Sequence, residues 1–561
     1  MNLRYFKNIL PFAAVVLSLG MSSCVNDLDV EPIDPRENMT VDAEKLLNKC
    51  YAEFVLEGYG PGSSELDLGD SGLSVLYRLI WNANELTTDE AICGWTDKGI
   101  INYDFNNYTE NSDVLYGLWW RLSFGVSLCN QYIQACSDVD ETMTAEAHFL
   151  RALYYYYLLD NFGNPAFTDK VSSENPRQIQ SAELFDFIVK DLEANMDKML
   201  EPSVRKKGET NYARADQSAA WMLLARLYLN AEKYTGTAQW GKAKEYAEKV
   251  IKESGRSIWM GDDTDAHKSA NGEYSAYQML FMADNDETGA YNENVFGFAL
   301  QGNSTASWGA ATFLVASTRD AKMGMIYPQT TDQAWGGNRT RKDLLEKFFT
   351  LSDFDALNDW NTETIVELAG DDRALFFGEN AEGDPEKGII TGPKDRKYTN
   401  DDISTFTEGI ATTKFNSVRS DDGPVTNTTH CDNDIMLMRL AEAYLIYAEA
   451  EAREAGSNVT LGEGTRLINE LKTRANVSAE NQKTAYTLNE VLDERARELY
   501  FEGMRRTDLI RYGYYGGNTS YVWQWKGGTQ NGSKFEAFRN IFPIPAKELG
   551  TNSNLKQNPG Y

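Results

Sequence analysis

The apolar positions of the chain fall into long stretches with a helical period, separated by stretches with none. Leu115, Leu118, Leu122, Val126, Cys129 and Ile133 recur every three or four residues, which places them on one face of a helix. Similar periods predict helical hairpin material over roughly 43–58, 114–136, 143–160, 181–199, 216–253, 435–455, 463–475 and 487–502. A finer spacing recurs inside these segments. Trp221-x2-Leu224-Ala225-x2-Tyr228 is followed by a second helix with Ala243 and Ala247, Leu437-x2-Leu440-Ala441-x2-Tyr444 by Ala448 and Ala450, and Ala152-x2-Tyr155 is a weaker third copy. A small residue lets two helices approach, and an aromatic ring one turn away fills the groove between them. This is the logic of tetratricopeptide hairpins, with Ala in place of the usual Gly. The expected fold class is therefore mostly α.

Residues 254–430 break the pattern. They are rich in Gly, Asn, Asp and Thr with few sustained periods, and residues 512–535 are similar. The reading is a helical scaffold carrying a large irregular, loop-rich insertion. Loops held on a rigid scaffold are where binding residues concentrate.

The N-terminus reads as an address. Arg4 and Lys7 precede an apolar run from Ile9 to Leu19, and Met21-Ser22-Ser23-Cys24 follows. A charged start, a short apolar middle and small residues before the cut make a signal peptide. Cysteine directly after the small residues looks like a lipobox, so Cys24 is the expected lipidation site and mature N-terminus. Asp27, Asp29 and Glu31 then resemble the surface-export signal of Bacteroidetes lipoproteins. The expected organisation is a signal peptide over 1–23, an N-terminal helical scaffold over 24–253 with ligand-site loops at 60–110, a ligand-binding insertion over 254–430 and a C-terminal helical region with loops over 431–561.

Composition narrows the function. The 561 residues include 84 acidic and 54 basic side chains, a formal charge of −30. That excess argues against a nucleic-acid backbone or an anionic lipid surface as main partner. Three histidines leave little room for histidine-rich metal sites, whereas 12 Trp, 30 Tyr and 25 Phe suit flat apolar ligands such as sugar rings. Cys50, Cys93, Cys129, Cys136 and Cys431 form no CxxC and are expected as buried thiols. Glycosidases need two carboxylates, but nothing singles out a pair. The chain also lacks a Gly-x-Ser-x-Gly elbow and a phosphate-cradling loop. No catalysis is expected.

Ordered blocks along the chain carry a resemblance. Arg151-Ala152-Leu153-Tyr154-Tyr155 leads into Phe162-Gly163 and Pro165. Gly370-Asp371-Asp372-Arg373-Ala374 and Met438-Arg439-Leu440-Ala441-Glu442 follow, then Arg495-Ala496-Arg497-Glu498-Leu499 with Glu502-Gly503-Met504-Arg505-Arg506 and Asp508-Leu509-Ile510-Arg511. The end reads Phe542-Pro543-Ile544-Pro545 and Asn558-Pro559-Gly560-Tyr561. From lipobox to last residue the chain resembles the SusD/RagB family of Bacteroidetes outer-membrane lipoproteins. The resemblance implies four tetratricopeptide units with an irregular domain on top. It also implies a surface glycan-binding lid on a SusC-like TonB-dependent transporter, facing the cell exterior.

Asn84-Glu85-Leu86-Thr87-Thr88-Asp89-Glu90, Met282-Ala283-Asp284-Asn285-Asp286-Glu287 and Trp525-Lys526-Gly527-Gly528 resemble the starch-binding branch of that family. Carried over by position, Trp95, Trp308 and Trp335 fall on an arc of rings that cradles an α-glucan. Arg78 and Asp70 fall where polar groups bind hydroxyls, and Lys98 falls near where an amide binds. Cys93 stands where the branch has a further tryptophan. Trp covers the C–H face of a pyranose at low entropy cost, and Arg and Asp reach its hydroxyl rim with charge-assisted hydrogen bonds. Small neighbours in Ser307-Trp308-Gly309 and Ala334-Trp335-Gly336 leave ring faces open. Trp119-Trp120 and Tyr154 to Tyr157 sit on periodic helices and are expected in the core, and the resemblance places Trp523 and Trp525 in scaffold packing. Asp284, Asp286, Asn292 and Glu293 form an oxygen-rich loop, and with Asp432 and Asp434 the resemblance implies a structural Ca2+ site. Asp286 and Asp434 are the expected ligands. A different glycan, a peptide cargo and a free-standing adhesin are the alternatives.

Overall fold

The structure is a computed structural model describing residues 41–58, 60–323, 330–381, 396–405 and 409–561. The expected signal peptide over 1–23 and lipidation at Cys24 lie outside the described residues.

Helices dominate. The first segment contains α1 (Ala43–Ala52) and α2 (Leu76–Glu85), followed by the short strand β1 (Ala91–Cys93) and by α3 (Asp113–Cys136). In α3, Leu115, Leu118, Leu122, Val126 and Cys129 are buried and Ile133 is half-buried, so the three-to-four spacing reads out directly as a core face. α4 (Glu141–Phe162) starts where the Asp140 side chain accepts the Met143 N–H at 2.8 Å and stops at Gly163, whose φ is +68°. It packs against α3 and then against α5 (Ser181–Asn195). At Gly125 a Cβ would lie 2.3 Å from the Tyr154 ring, so the missing side chain is what admits that ring between α3 and α4.

α6 (Gln217–Leu229) and α7 (Trp240–Glu253) form the next pair. Tyr228 and Tyr246 stack between them at 5.7 Å with planes 8° apart, while Ala225, Ala243 and Ala247 are fully buried at the contact. Small residues thus set the helix spacing and aromatic rings fill it, as the spacing predicts. α7 also packs on the C-terminal half of the chain, and there local periodicity misleads. Residues Ile435–Arg439 form a strand, not the start of a helix, and pair antiparallel with Asn294–Phe298. With Asn338–Thr340, which pairs with β1, these are β2 (Asn294–Phe298), β3 (Asn338–Thr340) and β4 (Ile435–Arg439). Five consecutive buried residues show no alternation, so the strand is not distinguishable from a buried helix by period. α2 escapes the periodic reading for the same reason, since all ten of its residues are buried.

α8 (Leu440–Glu454), α9 (Gly462–Arg474), α10 (Leu488–Leu499) and α11 (Arg505–Arg511) complete the scaffold. Thr487 and Glu490 cap α10 reciprocally, satisfying two backbone donors at once. A Cβ on Gly464 would lie 2.9 Å from the Ala448 backbone, again a small-residue contact. The family-like blocks meet here in a buried ion network. Arg373 reaches Asp371 and Glu494 at 2.7 Å each, Arg474 reaches Glu293 at 2.7 Å, and Arg439 reaches Glu498 at 3.0 Å and Glu502 at 2.7 Å. Burial works against the Glu498 charge, but Arg474, Arg439 and Arg373 outweigh it and hold the carboxyl down at about 2. The network ties the irregular segment to β4, α9 and α10. Residues Glu44–Tyr561 form one compact unit. The five described cysteines are free and buried, as expected.

Candidate functional site

Four chain segments converge on one open cleft of about 420 Å3, lined by Asp70, Ser71, Arg78, Trp95, Asp97, Trp308 and Trp335. Each wall has a local cause. The loop between α1 and α2 is pinned by Glu57, whose carboxylate accepts the Gly62 N–H at 2.7 Å and the Trp308 N–H at 2.6 Å. That one side chain fixes the Asp70 loop and the Trp308 loop against each other. Close backbone approach does the same on the other side of Trp308, where a Cβ on Gly309 would sit 2.3 Å from the Gly72 carbonyl oxygen. β1 and β3 bring together two walls that are distant in sequence. Cys93 pairs with Asn338, the Gly94 N–H donates to the Gly337 carbonyl at 3.0 Å, and Trp95 and Trp335 leave the ends of this short ladder into the cleft.

All three tryptophans are half-buried, each with part of its ring surface open. Trp308 and Trp335 have centroids 5.9 Å apart and planes at 50°, a bent aromatic wall. The Trp335 N–H donates to Gln333 at 2.9 Å, which fixes its ring. The Arg78 guanidinium lies 4.9 Å from both the Trp95 and the Phe313 ring centroids. Arg78 is 3% exposed, and burial pulls its pKa below the usual arginine value while Asp70 opposes that shift. Nη1 donates to Asp70 at 3.3 Å, and the other Asp70 oxygen accepts the Gly72 N–H at 2.8 Å. Asp70 itself stays exposed, so an oriented carboxylate and guanidinium stand beside an aromatic wall.

Five of the six expected positions therefore share one surface. Lys98 is placed differently: its ammonium is highly exposed and pairs with Asp113 at 2.5 Å, off the cleft lining. Asp97, one residue earlier, lines the cleft instead. Cys93 forms no missing wall. Its side chain is 1% exposed and lies in the interior near Asp104 and Arg339, because the ladder ends at Cys93 and the chain turns at Gly94 before Trp95 enters the cleft. The sequence gives no pointer to His430. Its ring centroid lies 4.2 Å from that of Trp308, and burial lowers its pKa. No local pattern connects residue 430 to residue 308; only its being one of three histidines makes it conspicuous.

The expected calcium ligands Asp286 and Asp434 lie away from the cleft. Asp286 pairs with the Lys207 ammonium at 2.8 Å, and Asp434 accepts the Leu300 N–H at 2.8 Å and the Tyr212 hydroxyl. Asp284 takes the Ser420 N–H and hydroxyl, Asp432 the Gly302 and Thr426 N–H groups, and Glu293 is committed to Arg474. Lys207 already supplies a positive charge, and no cluster of three or more His, Cys, Asp or Glu able to hold a metal occurs among the described residues. Trp119, Tyr154 to Tyr157 and Trp523 are buried as expected, and Trp525 is half-buried in scaffold packing. Trp120 corrects the core expectation, being only half-buried and stacked on Phe124 because its side of α3 turns away from the core that Trp119 faces.

Comparison with known proteins follows the same outline. The sequence matches the family described as the SusD family over residues 360–561, and the one described as "Starch-binding associating with outer membrane" over residues 28–229. It is 36% identical to the starch-binding protein SusD of Bacteroides thetaiotaomicron, with 100% of both chains covered. The chain belongs to the SusD family. The SusD-like protein P2 of Formosa agariphila is a more distant relative, 22% identical with 98% of each chain covered. Among solved structures, a SusD superfamily protein from Parabacteroides distasonis superposes with a TM-score of 0.66 at 19% identity, covering 94% of this chain and 100% of the other. The surface glycan-binding protein A of Bacteroides thetaiotaomicron, solved with laminarihexaose, superposes at 0.62 and 19% identity, covering 92% and 98%. These last two likenesses concern the fold. The blocks at 371–373, 439 and 494–511 that mark the family are its buried ion pairs and do not touch the cleft.

Proposed function

We propose that this SusD-family protein is a non-catalytic glycan binder of the outer cell surface, anchored by lipid at Cys24. Its ligand is an α-glucan of the starch or maltooligosaccharide type, which it presents as a lid to a SusC-like TonB-dependent transporter. Its helix pairs are the tetratricopeptide-type scaffold. The observation that carries the reading is the union of Trp95, Trp308 and Trp335 with the Arg78–Asp70 pair in one open cleft. The rings cover the C–H faces of successive sugars, and Arg78, Asp70, Ser71 and Asp97 meet the hydroxyls. Two rings inclined at 50° favour a chain that coils over a flat, extended one. The likeness to a starch-binding relative supports the α-glucan.

Bond cleavage has no place in this reading. Asp70 is held by Arg78 and the Gly72 N–H, while Asp89 is fully buried and clamped by Arg505 at 2.7 Å. Maltoheptaose titrated against the parent, Trp308→Ala and Trp335→Ala tests the site, with circular dichroism checking each fold. Loss of one ring is expected to cost about 2 kcal/mol, roughly thirtyfold in affinity. Folded variants that bind as tightly as the parent remove this cleft from the account. A parent that ignores α-glucans but binds another glycan or a peptide keeps the fold and loses the ligand. Purification from gently solubilised outer membrane with no β-barrel partner favours a free-standing adhesin.

A further inference from the structure

A second groove lies on the outer face of α3. It has a volume of about 410 Å3, nearly that of the tryptophan cleft, and is lined by Phe124, Ser127, Leu128, Gln131, Gln134 and Val171 among others. Its one aromatic lining residue is Phe124, which is backed by Trp120 outside the lining. Trp120 and Phe124, one helical turn apart, stack at 5.0 Å with planes 22° apart, and both are half-buried. The neighbouring ring Trp119 faces the core instead, at 2% exposure. Beyond Phe124 the same helix presents Ser127, Gln131 and Gln134, all exposed. The Gln131 amide makes no hydrogen bond to the described protein, and the Gln134 oxygen accepts the Val171 N–H at 3.3 Å.

The lining contains no charged residue, on a chain in which a quarter of the residues are charged and the net charge is −30. Lys49 lies 5.9 Å over the Phe124 ring but is committed to Glu65 at 2.6 Å. A charged peptide, a nucleic acid or a lipid headgroup finds no counter-charge here. A purely apolar helix would leave two amides and a hydroxyl facing it. A flat ring flanked by neutral amides matches a neutral polyol with one apolar face, and the volume suits a short oligosaccharide.

We infer that this groove is a second glycan-binding site, taking a neutral oligosaccharide segment and acting with the tryptophan cleft on one polymer. The inference rests on the glycan-binding reading of that cleft. Two weak sites on one chain raise retention of a long polymer well beyond that of a short oligomer. The experiment compares parent, Phe124→Ala, the exposed pair Gln131→Ala/Gln134→Ala, and Trp308→Ala, each checked by circular dichroism. Each is titrated with maltoheptaose and laminarihexaose and run on native gels containing soluble starch or laminarin. The expected result is two binding events in the parent. Phe124→Ala and the glutamine pair keep the stronger event unchanged, abolish the weaker one and lower polymer retention at least threefold. Trp308→Ala keeps the weaker event. The glutamine pair guards against a Phe124 variant that fails to fold, because both side chains are solvent-exposed. A parent that saturates with one event abolished by Trp308→Ala overturns the groove and leaves the cleft standing. Unchanged polymer retention in the groove variants also overturns it. A parent that binds no glycan of the panel overturns both.

Discussion

Gly337 offers a sharp test of how the cleft is built. Its φ is +98°, and a Cβ placed there would lie 2.2 Å from Trp95 Nε1 and 2.4 Å from Cε2. Ordinary contact begins near 3.4 Å, so in Gly337→Ala the indole must retreat by more than 1 Å or the β1–β3 ladder must open. The left-handed backbone costs a non-glycine residue about 1–2 kcal/mol, and the overpacked contact adds about 1–3 kcal/mol. The displaced ring also loses its contact with the Arg78 guanidinium, now at 4.9 Å. Forfeiting most of one aromatic contact, about 1.5 kcal/mol, weakens maltoheptaose roughly tenfold. Calorimetric titration measures the affinity and differential scanning calorimetry the stability. Gly60→Ala is the control, because nothing lies within 4 Å of where its methyl group would sit and its φ is ordinary; it is expected within about 0.5 kcal/mol of the parent. If Gly337→Ala melts and binds like the parent, Trp95 is not seated as described and is no wall of the site.

Cys93→Trp is expected to destabilise the fold by about 1–3 kcal/mol or more, by overpacking a fully buried position, and not to tighten glucan binding; a stable variant with improved affinity in the same calorimeters refutes the placement of β1. Glu498→Ala leaves Arg474 and Arg439 short of a buried counter-charge and is expected to cost about 3–5 kcal/mol in urea unfolding. The Glu498 carboxyl, held at about 2 in the fold, has a depressed folded pKa. Its contribution is therefore present above the ordinary glutamate range and lost as pH falls through about 2. Melting temperatures recorded from pH 6 to pH 2 should fall less steeply in Glu498→Gln than in the parent, starting from a lower value; identical slopes refute the assignment.

The sequence by itself determined the helices whose burial is one-sided. The period of Leu115 to Cys129 is a consequence of one face meeting the core, and the alanines and tyrosines at 225–247 encode both helix spacing and groove filling. It also announced the family, through blocks whose Arg373, Arg439, Glu498 and Arg505 turn out to be buried ion-pair members, and a buried arginine cannot lose its carboxylate without large cost. Those blocks say little about the ligand. The local pattern was silent where burial is complete: α2 and β4 are buried on all sides, and a segment with no wet face has no period to read. Residue identity and resemblance nominated the three tryptophans, Arg78 and Asp70. Only the tertiary structure could decide that Cys93 faces inward, that Lys98 turns to Asp113, and that His430 rests on Trp308. These depend on strand faces and loop approaches between residues hundreds of positions apart, set by Glu57, Gly309 and the β1–β3 ladder. Local periodicity carries information only over a few turns, whereas a binding cleft is defined by which distant backbones are allowed to touch.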